Sequence, residues 1–160
     1  MRVALPLALA ISIMPPAAVS QLTAAQASEE ARLEQKPIIV EVVFRAVIAK
    51  RCQRFLCLLA LEGEPVPEAI MRKLTKTGKI VSASKDDLVI DDKGAARGFS
   101  KPGGGRIFQV SKVSFGNDGT ASVSVDQISA PLGYANCVYS LHRTDKDWLL
   151  DPKGPSCTLS

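Results

Sequence analysis

Four cysteines, one histidine, a group of aspartates and a glycine-rich basic loop are the side chains here whose types and spacing could do chemistry. Cys52, Cys57, Cys137 and Cys157 could bridge, ligate zinc or supply a thiolate. A zinc site needs closely spaced Cys or His pairs, and this chain offers none, with His142 as its single histidine. As disulfides the four allow three full pairings, and spacing alone does not choose among them. With Asp145-Lys146 as a two-residue turn, Cys137 faces Gly154 and Cys157 lies three residues further on. A straight ladder would hold those two sulfurs too far apart. Pro152, Gly154 and Pro155 work against a straight ladder there, so a Cys137–Cys157 bridge can form and would leave Cys52–Cys57. The other pairings stay open.

His142 falls on an alternating segment, Tyr134 to Thr144. Residues two apart on a strand share a face, so Cys137, Tyr139 and Leu141 lie together and His142 lies opposite, with Val138 and Ser140. That parity disfavours a Cys137/His142 nucleophile–base pair, and no G-x-S-x-G elbow supports a serine nucleophile. Asp86, Asp87, Asp91 and Asp92 do not follow the calcium-loop spacing, and Lys85 and Lys93 flank them, so they read as turn residues. The run Lys101-Pro102-Gly103-Gly104-Gly105-Arg106 could expose backbone N–H groups to an anion. Lys101 and Arg106 are its candidate anion contacts, although the G-K-[ST] ending of a nucleotide loop is absent. These residues give no reason to expect a catalytic side chain, a metal or a cofactor.

The elements that must position these residues are legible in outline. Ser28 can cap a short helix that Pro37 interrupts and restarts. Over Ile38 to Arg51 a helix lines up Ile39, Val43 and Val47, with Val40, Phe44 and Ile48 beside them and Glu41 paired to Arg45. Phe55 to Leu61 reads as a buried strand, Glu62 to Pro65 as a turn, and Pro67 to Thr77 as a helix stopped by Gly78. Ile80 to Ala83 and Leu88 to Ile90 read as short strands, and Asp91 to Gly105 as loop. Arg106 to Phe115, Ala121 to Ile128, Tyr134 to Thr144 and Asp147 to Leu150 alternate and are joined by short turns, which makes antiparallel neighbours. The order predicts an α+β fold, with N-terminal helices on one face of a curved antiparallel sheet and a meander in the C-terminal half.

The N-terminus carries an address. Met1 and Arg2 precede an uncharged apolar run, Val3 to Met14, then Pro15-Pro16 and the small-x-small sequence Ala25-Gln26-Ala27. That is the pattern of a cleaved export signal over residues 1–27, leaving a single domain over residues 28–160. The apolar run is shorter than the roughly 20 residues a bilayer requires, so no stable membrane anchor is expected after cleavage. The expected location is periplasmic or secreted. The formal net charge is +4, with small basic clusters at Lys50-Arg51-Arg54 and Arg72-Lys73-Lys76-Lys79 that read as solvated helix faces. No aromatic residues interleave with them, which argues against nucleic acid as a partner.

The stretch from Tyr139 to Trp148 has the form Y-x-L-x-R-x-D-x-x-W. With the Val110–Phe115 and Ala121–Val125 strands before it, it resembles the closing meander of secreted NTF2-like domains. The resemblance covers the last third of the chain, and it implies helices filling a curved sheet. That family holds both enzymes and non-catalytic modules, so it brings no functional residues with it. The expected function is an exported, non-catalytic binding or protein-interaction domain, of an inhibitor or immunity type. The alternative is a small NTF2-like enzyme or carrier with an apolar small-molecule pocket. The expected partner is accordingly a protein or a small apolar ligand.

Overall fold

The computed structural model describes residues 16–53, 55–75, 79–83, 88–90, 96–99, 105–129 and 133–159. The chain divides into two units, one ending at Leu33 and one running from Glu34 to Ser160. In the first, the described residues are turns of helix α1 (Pro16–Arg51). The second holds the rest of α1 and all later elements. These are β1 (Cys57–Leu61), β2 (Glu64–Pro65), α2 (Glu68–Leu74), β3 (Ile80–Ser82), β4 (Leu88–Ile90) and β5 (Ala96–Phe99). Then come β6 (Arg106–Phe115), β7 (Thr120–Ser129), β8 (Gly133–Arg143), β9 (Trp148–Leu150) and β10 (Ser156–Leu159). The fold is α+β.

Helix α1 runs through Pro37, where the sequence suggested an interruption. A proline inside a helix removes one N–H and costs about 3 kcal/mol. Pro37 lies on the exposed side, where water can serve the carbonyl that loses its donor. Beyond it Ile39, Val40, Val43, Phe44, Val47 and Ile48 are all buried, at about 1.5–3 kcal/mol for each large side chain. That burial outweighs the lost bond.

The sheet is mostly antiparallel, as expected, and is mixed because β1 pairs in parallel. Its order is β10-β8-β7-β6-β1-β2, with β3 also on β1 and β9 also on β8. Strand β1 lies parallel to both β6 and β3, while β6, β7, β8 and β9 form the antiparallel meander. A strand flanked on both edges and covered on both faces should be a continuous apolar run, as Cys57-Leu58-Leu59-Ala60-Leu61 is. Buried strand begins only at Cys57; Phe55 and Leu56 are exposed. The stretch expected as loop after Asp91 contains β5, antiparallel to β4. The turn before β2 places Glu62 and Gly63 at φ 53° and 79°, the left-handed pair that a two-residue hairpin requires.

One face of the sheet packs on α1 and α2. Phe44, Val47, Ile70 and Leu74 meet Leu59, Phe108, Val110, Val123, Val125, Tyr139, Leu141 and Trp148 there. In β6 the register slips between Val110 and Lys112, leaving Ser111 as an extra residue. The bulge turns Val113 and Phe115 inward and Lys112 out to solvent, which strict alternation would reverse. The opposite face buries a smaller cluster of Ala60, Ala83, Ile107 and Ile128.

Polar ties hold the helix in place. Trp148 Nε1 donates to Gln35 Oε1 at 3.1 Å, and Lys36 Nζ reaches both Glu62 oxygens at 2.7 and 2.8 Å. Glu41 accepts from Arg45 on its own helix and from Lys73 Nζ on α2. Burial pushes the Glu41 carboxyl up, but the hydrogen bonds and charges of Lys73 and Arg45 outweigh it and hold it below the usual 4.5. A depressed carboxylate stabilises the fold above its unfolded pKa and loses that contribution as pH falls through its folded pKa. Both cations are largely solvated, so the contribution is small. Glu41→Gln should cost about 0.5–1 kcal/mol at pH 7. In denaturation curves at several pH values, the gap to wild type should close as pH falls below 4.5.

Candidate functional site

Arg51 is the last residue of α1, and Arg106 is the first residue of β6. The Cys52–Cys57 disulfide ties the end of the helix to the start of β1. Strand β1 is parallel to β6 from its first residue, with Cys57 opposite Arg106 and Arg106 N–H donating to the Leu56 carbonyl at 3.1 Å. This local covalent link and one long-range pairing bring the two guanidinium groups to one cleft.

The cleft has a volume of about 260 Å³ and opens where the sheet outlasts the helix. Its floor follows from register. Phe108, Gln127, Ala135 and Leu159 stand in one row across β6, β7, β8 and β10, with Arg106 and Ser129 one row further out. Residues in register share a face, and this is the face that α1 covers farther along the strands. Leu159, on the edge strand β10, nevertheless is 81 % exposed. The Cys137–Cys157 disulfide forms part of the wall, and Gln127 Nε2 donates to Cys137 Sγ at 3.0 Å. An adjoining cleft of about 270 Å³ shares Arg51 and Arg106 and adds Lys50, Gln53 and Phe55.

Electrostatically the cleft is cationic. The Arg106 guanidinium carbon lies 4.7 Å from the centre of the Phe55 ring, a cation–π contact that fixes its position. Lys36, Arg45, Arg72 and Lys73 each pair with a carboxylate, whereas among the described residues Lys50, Arg51 and Arg106 do not. Burial raises the Tyr139 phenol above its ordinary value, and the charge of Arg51 partly offsets that rise.

The sequence singled out Arg106, and the structure places it in this cleft. Its expected companion Lys101 lies outside the described residues, as do Asp86, Asp87, Asp91 and Asp92. In the sequence Arg51 belongs to a solvated helix face; nothing local marks it, because its partner comes from β6. All four cysteines are bridged, Cys52 to Cys57 and Cys137 to Cys157, and no cysteine is free.

Two other groups of polar side chains stand on the sheet. Asp126 is a buried carboxylate on the opposite face, in register with Gln109 and Asn136. Its Oδ1 accepts from Tyr134 Oη at 2.8 Å and Asn136 Nδ2 at 2.7 Å. A buried carboxyl group on β7 held by two donors from β8 favours this register of β7 on β8. His142 lines a shallow groove of about 520 Å³ with Ser114, Ser122, Ser140 and Asp151. It lies opposite Cys137, Tyr139 and Leu141, as its parity requires. Among the described residues no hydrogen bond joins His142 to a serine or a carboxylate. His142→Ala should change stability by no more than about 0.5 kcal/mol in thermal melts.

Among the described residues no three His, Cys, Asp or Glu side chains gather as metal ligands, and no helix is long and apolar enough to cross a membrane. The two disulfides fit an oxidising, extracytoplasmic environment. Comparison with protein-family models, with curated proteins and with solved structures finds no match.

Proposed function

We propose that this chain is an exported, non-catalytic binding domain that holds an anionic group of its partner between Arg51 and Arg106. The observation that carries the reading is the pair of guanidinium groups lining one cleft without a carboxylate partner among the described residues. Arginine keeps its charge at any physiological pH, and its planar fork matches oxyanions. A role of the inhibitor or immunity type would use such a cleft to grip an acidic feature of a target. The alternative of a small-molecule carrier draws on the same place. The layer between α1 and the sheet is filled by Phe44, Phe108, Val110 and their neighbours, so a small ligand would sit at the end of the sheet and not beneath it. Export is supported by the leader pattern of residues 1–27 and by the disulfides.

The binding test is thermal melting at constant ionic strength with a panel of anions, comparing wild type with Arg51→Ala/Arg106→Ala. An anion at ten times its dissociation constant should stabilise wild type by about 1.4 kcal/mol and leave the double variant unmoved. If no anion separates the two proteins, the cleft is not an anion site. For export, N-terminal sequencing from the native host should find Ser28 first; an intact Met1 would overturn it.

A further inference from the structure

We infer that the anion taken by this cleft is a single carboxylate carried on an apolar or aromatic group. The carboxylate sits between Arg51 and Arg106, and the apolar part lies on the open end of the row, Gln127–Ala135–Leu159. The inference rests on the reading of the cleft as an anion site.

The first argument is the pairing of charge with uncovered apolar surface. Leu159 lies on the face that elsewhere forms the core, yet is 81 % exposed, and Phe55 in the adjoining cleft is 50 % exposed. The Gln127 amide N–H₂ is already engaged by Cys137 Sγ, so the middle of the row has one donor in use. A fully polar anion would leave this surface wet. One with an apolar group would cover it.

The second argument separates carboxylate from phosphate. Phosphate sites are commonly built on helix N-termini, whose free N–H groups supply donors. Here a helix ends: Lys50 and Arg51 form the last turn of α1, and that end carries about half a negative charge. The helix therefore offers carbonyls and no N–H donors, which opposes a dianion more than a monoanion; the two side-chain forks supply the attraction. Arg106 is already held against Phe55, so little side-chain freedom is lost when the ligand binds.

Size is the third argument. At about 260 Å³ the cleft lies below the usual range for a whole small-molecule ligand, about 300–1,000 Å³. It fits one side-chain-sized group with its carboxylate. Both a free aromatic or aliphatic acid and the C-terminal residue of a polypeptide present that chemistry.

The test is an NMR titration of the ¹⁵N-labelled protein with five probes. These are N-acetyl-phenylalanine, its uncharged amide, inorganic phosphate, and a short peptide ending in Phe as free acid or amide. N-acetyl-phenylalanine should bind with a dissociation constant on the order of 1 mM and shift Arg106, Gln127, Ser129 and Leu159. Its amide should bind about tenfold more weakly or not at all. Arg51→Ala/Arg106→Ala should lose the response and His142→Ala should keep it. Melting curves check the fold of each variant, and Arg51→Gln alone serves if the double variant is unfolded. Tighter binding of the peptide acid supports a polypeptide terminus as the source; tighter binding of the free acid supports a small molecule. Equal binding of acid and amide, or a preference for phosphate, overturns the carboxylate inference and leaves a ligand cleft standing. No response to any anion overturns the cleft itself as a site.

Discussion

Phe44→Ala should lower the unfolding free energy by about 3–5 kcal/mol, the range for emptying a large aromatic from a close-packed core. Phe44 is fully buried and is among the largest side chains of the core. It stands on α1 among Val40, Val43, Val47 and Ile48 and packs within the cluster that includes Phe108, Val110, Val123 and Tyr139. Both the transfer term and the cavity term apply, because the surrounding strands are held by ladder hydrogen bonds and cannot collapse into the space. A domain of this size has about 5–15 kcal/mol in all, so the variant should be close to unfolding at moderate temperature. Urea denaturation of the two proteins measures the difference. A loss under about 1 kcal/mol would mean that α1 is not packed on the sheet in solution.

Replacing both members of a disulfide with alanine should give the other large loss, and the two bridges should differ. Cys137 and Cys157 are 20 residues apart, and Cys52 and Cys57 are 5 apart. Loop-closure entropy then assigns roughly 3 kcal/mol to the longer loop and roughly 2 kcal/mol to the shorter. Cys137→Ala/Cys157→Ala should also release β10 from β8, since the bridged residues stand opposite one another in that pairing. Cys52→Ala/Cys57→Ala should instead loosen the end of α1 against β1. Denaturation midpoints of the two double variants decide the order. If the short-loop variant loses more, packing around the fully buried Cys52 and Cys57 governs, and loop entropy does not. Thiol titration of the denatured, unreduced wild type should find no free thiol.

The helix from Ile38 to Arg51 was legible because its apolar residues recur with helical period. The four C-terminal segments were legible because their alternation is local: β6, β7, β8 and β9 begin and end within a residue or two of the expected bounds. The turn at Asp145-Lys146 fixed the β8–β9 register, Arg143 opposite Trp148. Continued straight, that register puts Cys137 opposite Gly154; Asp151 to Pro155 absorb a slip of three residues, and Cys157 arrives opposite Cys137. The outward position of His142 followed from the same parity.

Other features were decided by partners distant in sequence. Nothing in Cys57 to Leu61 says that it pairs in parallel with β6 and β3, because an apolar run is equally at home in several sheet positions. The bulge at Ser111 exists because β7 offers Val123 and Val125 on one face, and Val110 and Val113 must both meet it. Helix α1 continues through Pro37 because the burial beyond it outweighs the missing bond. Half of the cleft was visible in Arg106. The other half, Arg51, required the helix to end beside β6.

The sequence by itself therefore determined which residues could carry charge, which faces are apolar, and the α+β class, since these depend on side-chain type and on periods of two or about four residues. The tertiary structure alone decided that Arg51 and Arg106 meet. A short disulfide holds the end of α1 to β1, a parallel ladder then holds β1 to β6, and no local pattern encodes a long-range strand pairing.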